Sequence, residues 1–223
     1  GISPVQLSHR LDVENAGRDL RDTLHFMIGK KGEQISFGAG KDSLIQPLKL
    51  NKLKKGKGFI REGNLIKDSM DFSEKNYFPL IAQHNLMKRL FFPEVFTEDQ
   101  QFKISEESRE ILKKEMSTVP RNNGYPEEIY YDSYGKFFIY GDTKERIPNA
   151  MKIYNKVGYA YGTLTETAYI VDEENGIDFL LSATLLVNNN GIFNDDTYEY
   201  DDIGIPFLAQ FGRELYLLEL EKY

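Results

Sequence analysis

The sequence predicts an α+β fold in which helices are followed by an antiparallel three-strand sheet and a closing C-terminal helix. Apolar residues recur at helical spacing from Leu80 to Phe91 and again beyond Ser105. Three β-rich segments follow Pro148, set apart by turn residues, and a last apolar stripe runs from about Ile205 to Leu220. With 223 residues, 40% of them hydrophobic, the chain is long enough to bury a sizeable core in one domain or two small ones.

The N-terminal part carries the weakest pattern. Apolar alternation in residues 23–28 and 34–37 meets across Gly29-Lys30-Lys31-Gly32, which predicts a β-hairpin. Lys49, Lys52, Lys54, Lys55 and Lys57 stand beside Gly56 and Gly58 without the spacing of a phosphate-binding loop, so this stretch reads as a solvated basic loop. Residues 1–65 are therefore expected to be an irregular segment with one hairpin, and residues 66–223 the organised part.

Ser73 is the expected N-cap of the first helix, which carries Leu80, Ile81, His84, Met87, Leu90 and Phe91 until Pro93 stops it. The second starts after Ser105, buries Ile111, Leu112 and Met116, and ends before Pro120 and the turn Asn122-Asn123-Gly124. The two are expected to pair antiparallel. Strands are expected over residues 153–163, 165–172 and 177–188, with Asn175-Gly176 as a hairpin turn. The last is almost continuously apolar from Phe179 to Val187, as when both faces are covered, and is expected at the centre of the sheet. The final helix is expected to press Phe207, Leu208, Phe211, Leu215 and Leu218 against that sheet.

Composition excludes several functions. A formal net charge of −7 disfavours a nucleic-acid binder. The absence of Cys excludes disulfides, a thiol nucleophile and Cys-based zinc sites. No apolar run approaches a membrane span, and the start, Gly1-Ile2-Ser3-Pro4, is no targeting signal; Gly1 in place of Met suggests that the natural protein extends upstream. His9, His25 and His84 fit no metal-ligand spacing, and His84 reads as a hydrogen-bonded core or boundary histidine. Asn194-Asp195-Asp196 with Glu199, Asp201 and Asp202 lacks the calcium-loop spacing and reads as a solvated acidic loop. Neither metal nor cofactor is expected.

The informative segment is Lys156-Val157-Gly158-Tyr159 at the head of the strand block. It resembles the Lys-[Thr/Ser]-Gly motif of class A β-lactamases and penicillin-binding proteins. The order of elements around it is similar too: two helices, the motif strand, two further strands and a closing helix. Met70-Asp71-Phe72-Ser73 and Gly191-Ile192-Phe193-Asn194-Asp195-Asp196, taken with the motif, resemble β-lactamase-like serine hydrolases of Bacteroides-type bacteria. The resemblance covers roughly residues 65–223.

The resemblance implies a partial β-lactamase-like fold: the C-terminal half of a serine hydrolase or transpeptidase that acts on peptidoglycan-type or β-lactam amides through an acyl-serine. Lys156 would supply positive charge to the substrate carboxylate and the proton relay, Gly158 would let substrate approach the strand, and the Tyr159 backbone N–H would serve the oxyanion hole. Val157 replaces the family's hydroxyl residue and removes a hydrogen bond to the substrate.

Ser133-Tyr134-Gly135-Lys136 fits the letters of the family's Ser-x-x-Lys but follows the helices it should precede and reads as a strand or turn, so it is taken as coincidence. No Ser-Asp-Asn occurs, and Glu14 and Glu62 are conceivable deacylating carboxylates without a motif. The nucleophile is therefore expected upstream of Gly1, which makes this chain alone inactive. The partner expected is that N-terminal half, or a second copy covering the strand edge at 177–188. An extracytoplasmic location is implied by the resemblance, and a non-catalytic domain that keeps the fold is the alternative.

Overall fold

The computed structural model describes residues 5–7, 23–28, 33–38 and 47–222. His9, Glu14 and the turn at 29–32 lie outside the described residues. The predicted hairpin forms from β1 (Leu24–Ile28) and β2 (Glu33–Phe37), which pair antiparallel.

The basic stretch is solvated, but it is not all loop. Lys54–Lys55 form β3, which pairs with β6 (Met70–Asp71). Between them, β4 (Gly58–Arg61) and β5 (Asn64–Ile66) make a tight hairpin whose two turn residues, Glu62 and Gly63, have φ of 50° and 76°. Positive φ at both positions is the turn geometry that matches strand twist.

Helices α1 (Leu80–Phe91) and α2 (Glu106–Ser117) stand where the periodicity puts them. Ser105 caps α2 by accepting the Ser108 N–H at 3.1 Å. Ser73 caps nothing: the N-cap of α1 is Pro79, whose fixed φ leads the chain into the helix without a side-chain bond. The buried residue of α2 is Arg109, while Ile111 is 54% exposed and Leu112 also faces out. Arg109 earns its burial by donating to the Leu90 carbonyl at 3.0 Å, one of the free acceptors at the end of α1.

The main sheet joins β7 (Met151–Ala160), β8 (Thr163–Asp172) and β9 (Ile177–Leu186), all antiparallel. The strand order is β7-β8-β9, so the central strand is β8. The expectation for residues 177–188 is overturned: among the described residues β9 has no partner beyond β8, and the hairpin of β1 and β2 pairs only with itself. Its apolar run has another cause, since α1 packs on one face of it and the C-terminal helix α3 (Ile205–Leu220) also contacts it. A short β10 (Ile192–Phe193) runs parallel to β4 and ties the chain after β9 to the N-terminal region.

Strand alternation sorts the sheet into two faces. Tyr154 and Tyr169 point to α1, where Phe91 lies 5.0 and 4.8 Å from their ring centroids. Ile153, Leu164, Ala168 and Ile170 point the other way and form the core with Leu208 of α3 and with Phe137, Phe138 and Ile139 from the long connection before β7. Together these elements are an α+β protein with helices on both faces of an antiparallel sheet.

The contact surface of α3 is narrower than its apolar count suggests. Its buried residues are Leu208, Ala209 and Gly212, while Phe207 is 54% exposed and Phe211 and Leu218 are also turned outward. Small residues let the helix backbone approach the 137–139 segment: a Cβ on Gly212 would lie 2.7 Å from the Ile139 nitrogen and 3.0 Å from Phe138 Cβ. Gly212→Ala should therefore destabilise the fold by roughly 1–2 kcal/mol, because overpacking outweighs the about 1 kcal/mol of helix propensity gained. Calorimetry should register a Tm lower by a few degrees; an unchanged or higher Tm would contradict this close approach.

Candidate functional site

Strand β7 has one strand neighbour, β8, among the described residues; Lys136 and α2 cover the first part of its outer edge, and the end from Lys156 to Ala160 is left exposed. Lys156, Gly158 and Tyr159 all lie exposed on this strand, with Val157 half-buried between them. Register places Lys156 opposite Thr167 and Tyr159 opposite Leu164, so the two side chains leave opposite faces of the sheet. Lys156 Nζ donates to the Val157 carbonyl at 3.0 Å. Nothing lies within 4 Å of the point where a Cβ of Gly158 would stand, so the strand is open to a molecule approaching there. The Tyr159 ring, with its residue 59% exposed, leans on Tyr200 at 5.1 Å and Phe137 at 6.4 Å.

Behind that edge lies a buried polar row that the sequence reading missed. Lys136, on the connection before β7, is 4% exposed, and Glu166 of β8 is fully buried. Lys136 Nζ donates to the carbonyls of Met116 (3.1 Å) and Ile153 (2.8 Å) and to Asn155 Oδ1 (2.8 Å). Asn155 Nδ2 donates in turn to Glu166 Oε1 (2.6 Å) and to the Gly135 carbonyl (2.8 Å). Glu166 Oε2 accepts the backbone N–H groups of Phe137 (2.9 Å) and Phe138 (2.6 Å). Burial pushes the Glu166 carboxyl up to about 7, against its hydrogen bonds and the nearby ammonium, and pulls Lys136 down to about 8. A sequence signal for Glu166 existed: Leu164, Glu166, Ala168 and Ile170 occupy successive inward positions, and a carboxylate among them must be held by donors.

The same connection is fixed from α3. Arg213 Nη1 donates to the Ile139 carbonyl at 2.6 Å, and its guanidinium also grips the Asp142 carboxylate. Ile139 is buried with φ of 67°, a backbone state that a β-branched residue rarely adopts.

Ser133 and Lys136 form no nucleophile–base pair. Ser133 is buried and its hydroxyl donates to the Thr143 carbonyl at 2.6 Å, while all three acceptors of Lys136 lie elsewhere. The segment is a turn closed by Lys136 N–H donating to the Ser133 carbonyl, one of the two forms its sequence left open.

The remaining candidates are quickly placed. His84 is half-buried on α1, with Nδ1 2.9 Å from Ser182 Oγ, a hydrogen-bonded boundary histidine as expected. His25 is exposed on β1 beside Ser36 and Gln34. In the acidic loop, Asp195 binds Asn190 Nδ2 and the Thr197 N–H, and Glu199 accepts from the Asn189 N–H. Among the described residues no group of three or more His, Asp or Glu is placed to hold a metal ion. Glu62 lines a mixed-charge cleft of about 970 Å³ with Lys54, Arg61, Asp71, Lys75 and Asn194. No described helix is long and apolar enough to cross a membrane.

No protein-family model matches the chain, and no curated protein does. Among solved structures, the chain is similar to one titled as a crystal structure of a beta-lactamase from Burkholderia ambifaria, with a TM-score of 0.37 and 16% sequence identity. That match takes in 61% of this chain and spans 41% of the length of the other.

Proposed function

We propose that the chain is the C-terminal portion of a β-lactamase-like serine hydrolase or transpeptidase, acting on peptidoglycan-type or β-lactam amides through an acyl-serine. The observation that carries this reading is the open edge of β7, with Lys156, Gly158 and Tyr159 exposed along it. Lys156 would neutralise a substrate carboxylate, and the bare strand at Gly158 would receive the amide backbone, with the Tyr159 N–H stabilising the oxyanion. The Ser-x-x-Lys pair would come from an N-terminal half of the same protein in an extracytoplasmic compartment, and no cofactor takes part. That half, or failing it a second copy of this chain, would pair with the outer edge of β9.

Ser133 supports an outside nucleophile, since its hydroxyl is buried and bonded to Thr143. The second reading, a non-catalytic binding or structural domain, draws on Val157. A side chain that packs against the main core here, where the related enzymes place a hydroxyl, fits a strand that has given up one substrate contact.

A fluorescent penicillin tests both. The 223-residue chain alone should remain unlabelled, while the complete protein should carry the label on a serine upstream of Gly1. A label on any serine within this chain would overturn the assignment, and an unlabelled complete protein would favour the non-catalytic reading.

A further inference from the structure

The row from Lys136 through Asn155 to Glu166 is built with one polarity. Every partner of Lys136 Nζ is an acceptor, namely two backbone carbonyls and the Asn155 oxygen. Every partner of Glu166 is a donor: the Asn155 amide and the N–H groups of Phe137 and Phe138. An ammonium and a carboxylate satisfy this arrangement completely. A protonated carboxyl does not, because its O–H would face only donors and must displace one of them.

Those displaced donors belong to the wall beside the β7 edge. Asn155 also holds the Gly135 carbonyl, and a Cβ on Gly135 would lie 3.9 Å from Val157 Cγ2. Phe137, whose N–H the carboxylate holds, packs its ring toward Tyr159. Ile139, two residues on, is kept at positive φ by this grip together with that of Arg213.

We propose that Lys136, Asn155 and Glu166 are positioning residues for the open edge of β7, a latch that fixes the 135–138 segment against Val157 and Tyr159 and lets go when Glu166 takes up a proton. This deepens the reading of β7 as the substrate-facing strand and rests on it for its functional meaning, though not for its test. The charged group acting on Glu166 is Lys136, and the reverse holds. Strand β7 contributes the uncharged Asn155, β9 sets Ala183 opposite Glu166, and α3 brings Leu208 to the same core. The placement of the Glu166 carboxyl near neutrality brings the switch within an ordinary pH range.

The test is a pH titration of the ¹⁵N-labelled 223-residue chain, with ¹³C detection of the Glu166 carboxyl. The carboxyl, the amides of Phe137 and Phe138, and those of Val157, Gly158 and Tyr159 should share one inflection. Below it, with the intrinsic pH dependence divided out, exchange of the Phe137 and Phe138 amides should quicken by about tenfold, the size of one lost hydrogen bond, while Leu164 and Ile170 stay protected. In Glu166→Gln, the shared inflection should vanish from β7. If that variant does not fold, the directly observed carboxyl of the wild type still decides. Amides of residues 157–159 that ignore the Glu166 titration, or that titrate unchanged in Glu166→Gln, would overturn the latch. A complete protein that neither takes the penicillin label nor hydrolyses penicillin would sink the proposed function and leave this titration standing.

Discussion

Replacing Glu166 by Leu is expected to cost the fold about 3–5 kcal/mol, the range for leaving a buried charge without its compensating partner. The variant leaves the Lys136 ammonium buried without its opposite charge and the N–H groups of Phe137 and Phe138 without an acceptor. Urea unfolding should show the loss as a lower midpoint with little change in slope. Adding Lys136→Met removes the stranded charge, so the double variant should lose less than the two single variants summed. Strict additivity would mean that the two groups do not act through Asn155 at all.

The pH dependence of that loss has a definite sign. Burial raises Glu166 from 4.5 in the unfolded chain to about 7 in the folded one, so the fold binds its proton more tightly. The stability this contributes is fully present below the unfolded value and disappears as pH rises through the folded one. The gap in global stability between wild type and Glu166→Leu should therefore be wider near pH ~5 than near pH ~8, because protonation spares the fold a buried negative charge even as it loosens the Phe137 and Phe138 contacts locally. A gap that widens with rising pH would assign the raised carboxyl to some other residue.

Lys156→Ala in the complete protein is expected to lower turnover by about 10²-fold or more, the scale of one electrostatic stabiliser lost from an acyl-transfer site. The fold itself should hardly notice. Lys156 is exposed and reaches only the carbonyl next to it, so the change belongs with surface substitutions, within about 0.5 kcal/mol. A fall in turnover at constant Tm would thus report on the chemistry of the β7 edge. Equal turnover in both proteins would make the Lys-Val-Gly segment an ordinary strand.

The elements that sequence periodicity located well are those whose partners are local. The C-terminal helix starts and ends where its apolar stripe does, α2 begins at its serine cap, and the three long strands fall within a few residues of expectation. What failed was inference about neighbours. An apolar run shows that both faces of β9 are covered, but it is silent on whether another strand lies beside it. On α3 the eye goes to Phe207 and Phe211, yet the residues that touch the core are Leu208, Ala209 and Gly212, chosen by how closely two backbones meet. At the candidate site the strand itself was legible from its β-rich pattern. The row behind it joins Met116, Lys136, Ile153, Asn155 and Glu166 across fifty positions, and only the inward place of Glu166 in its strand leaves a local trace.

Among the described residues the outer edge of β9 carries no strand partner, which bears on how copies of this chain would meet. The strand runs ten residues, from Ile177 to Leu186, and every other one turns its N–H and C=O outward, with Leu186 facing water at its end and the exposed rings of Phe207 and Phe211 on the helix that packs against it. Natural sheets blunt such rims with lysines, prolines or bulges. Asp178 is the single charge along this one. An isolated chain with this edge bare is expected to associate with like chains through it, so light scattering should show its apparent size rising with concentration.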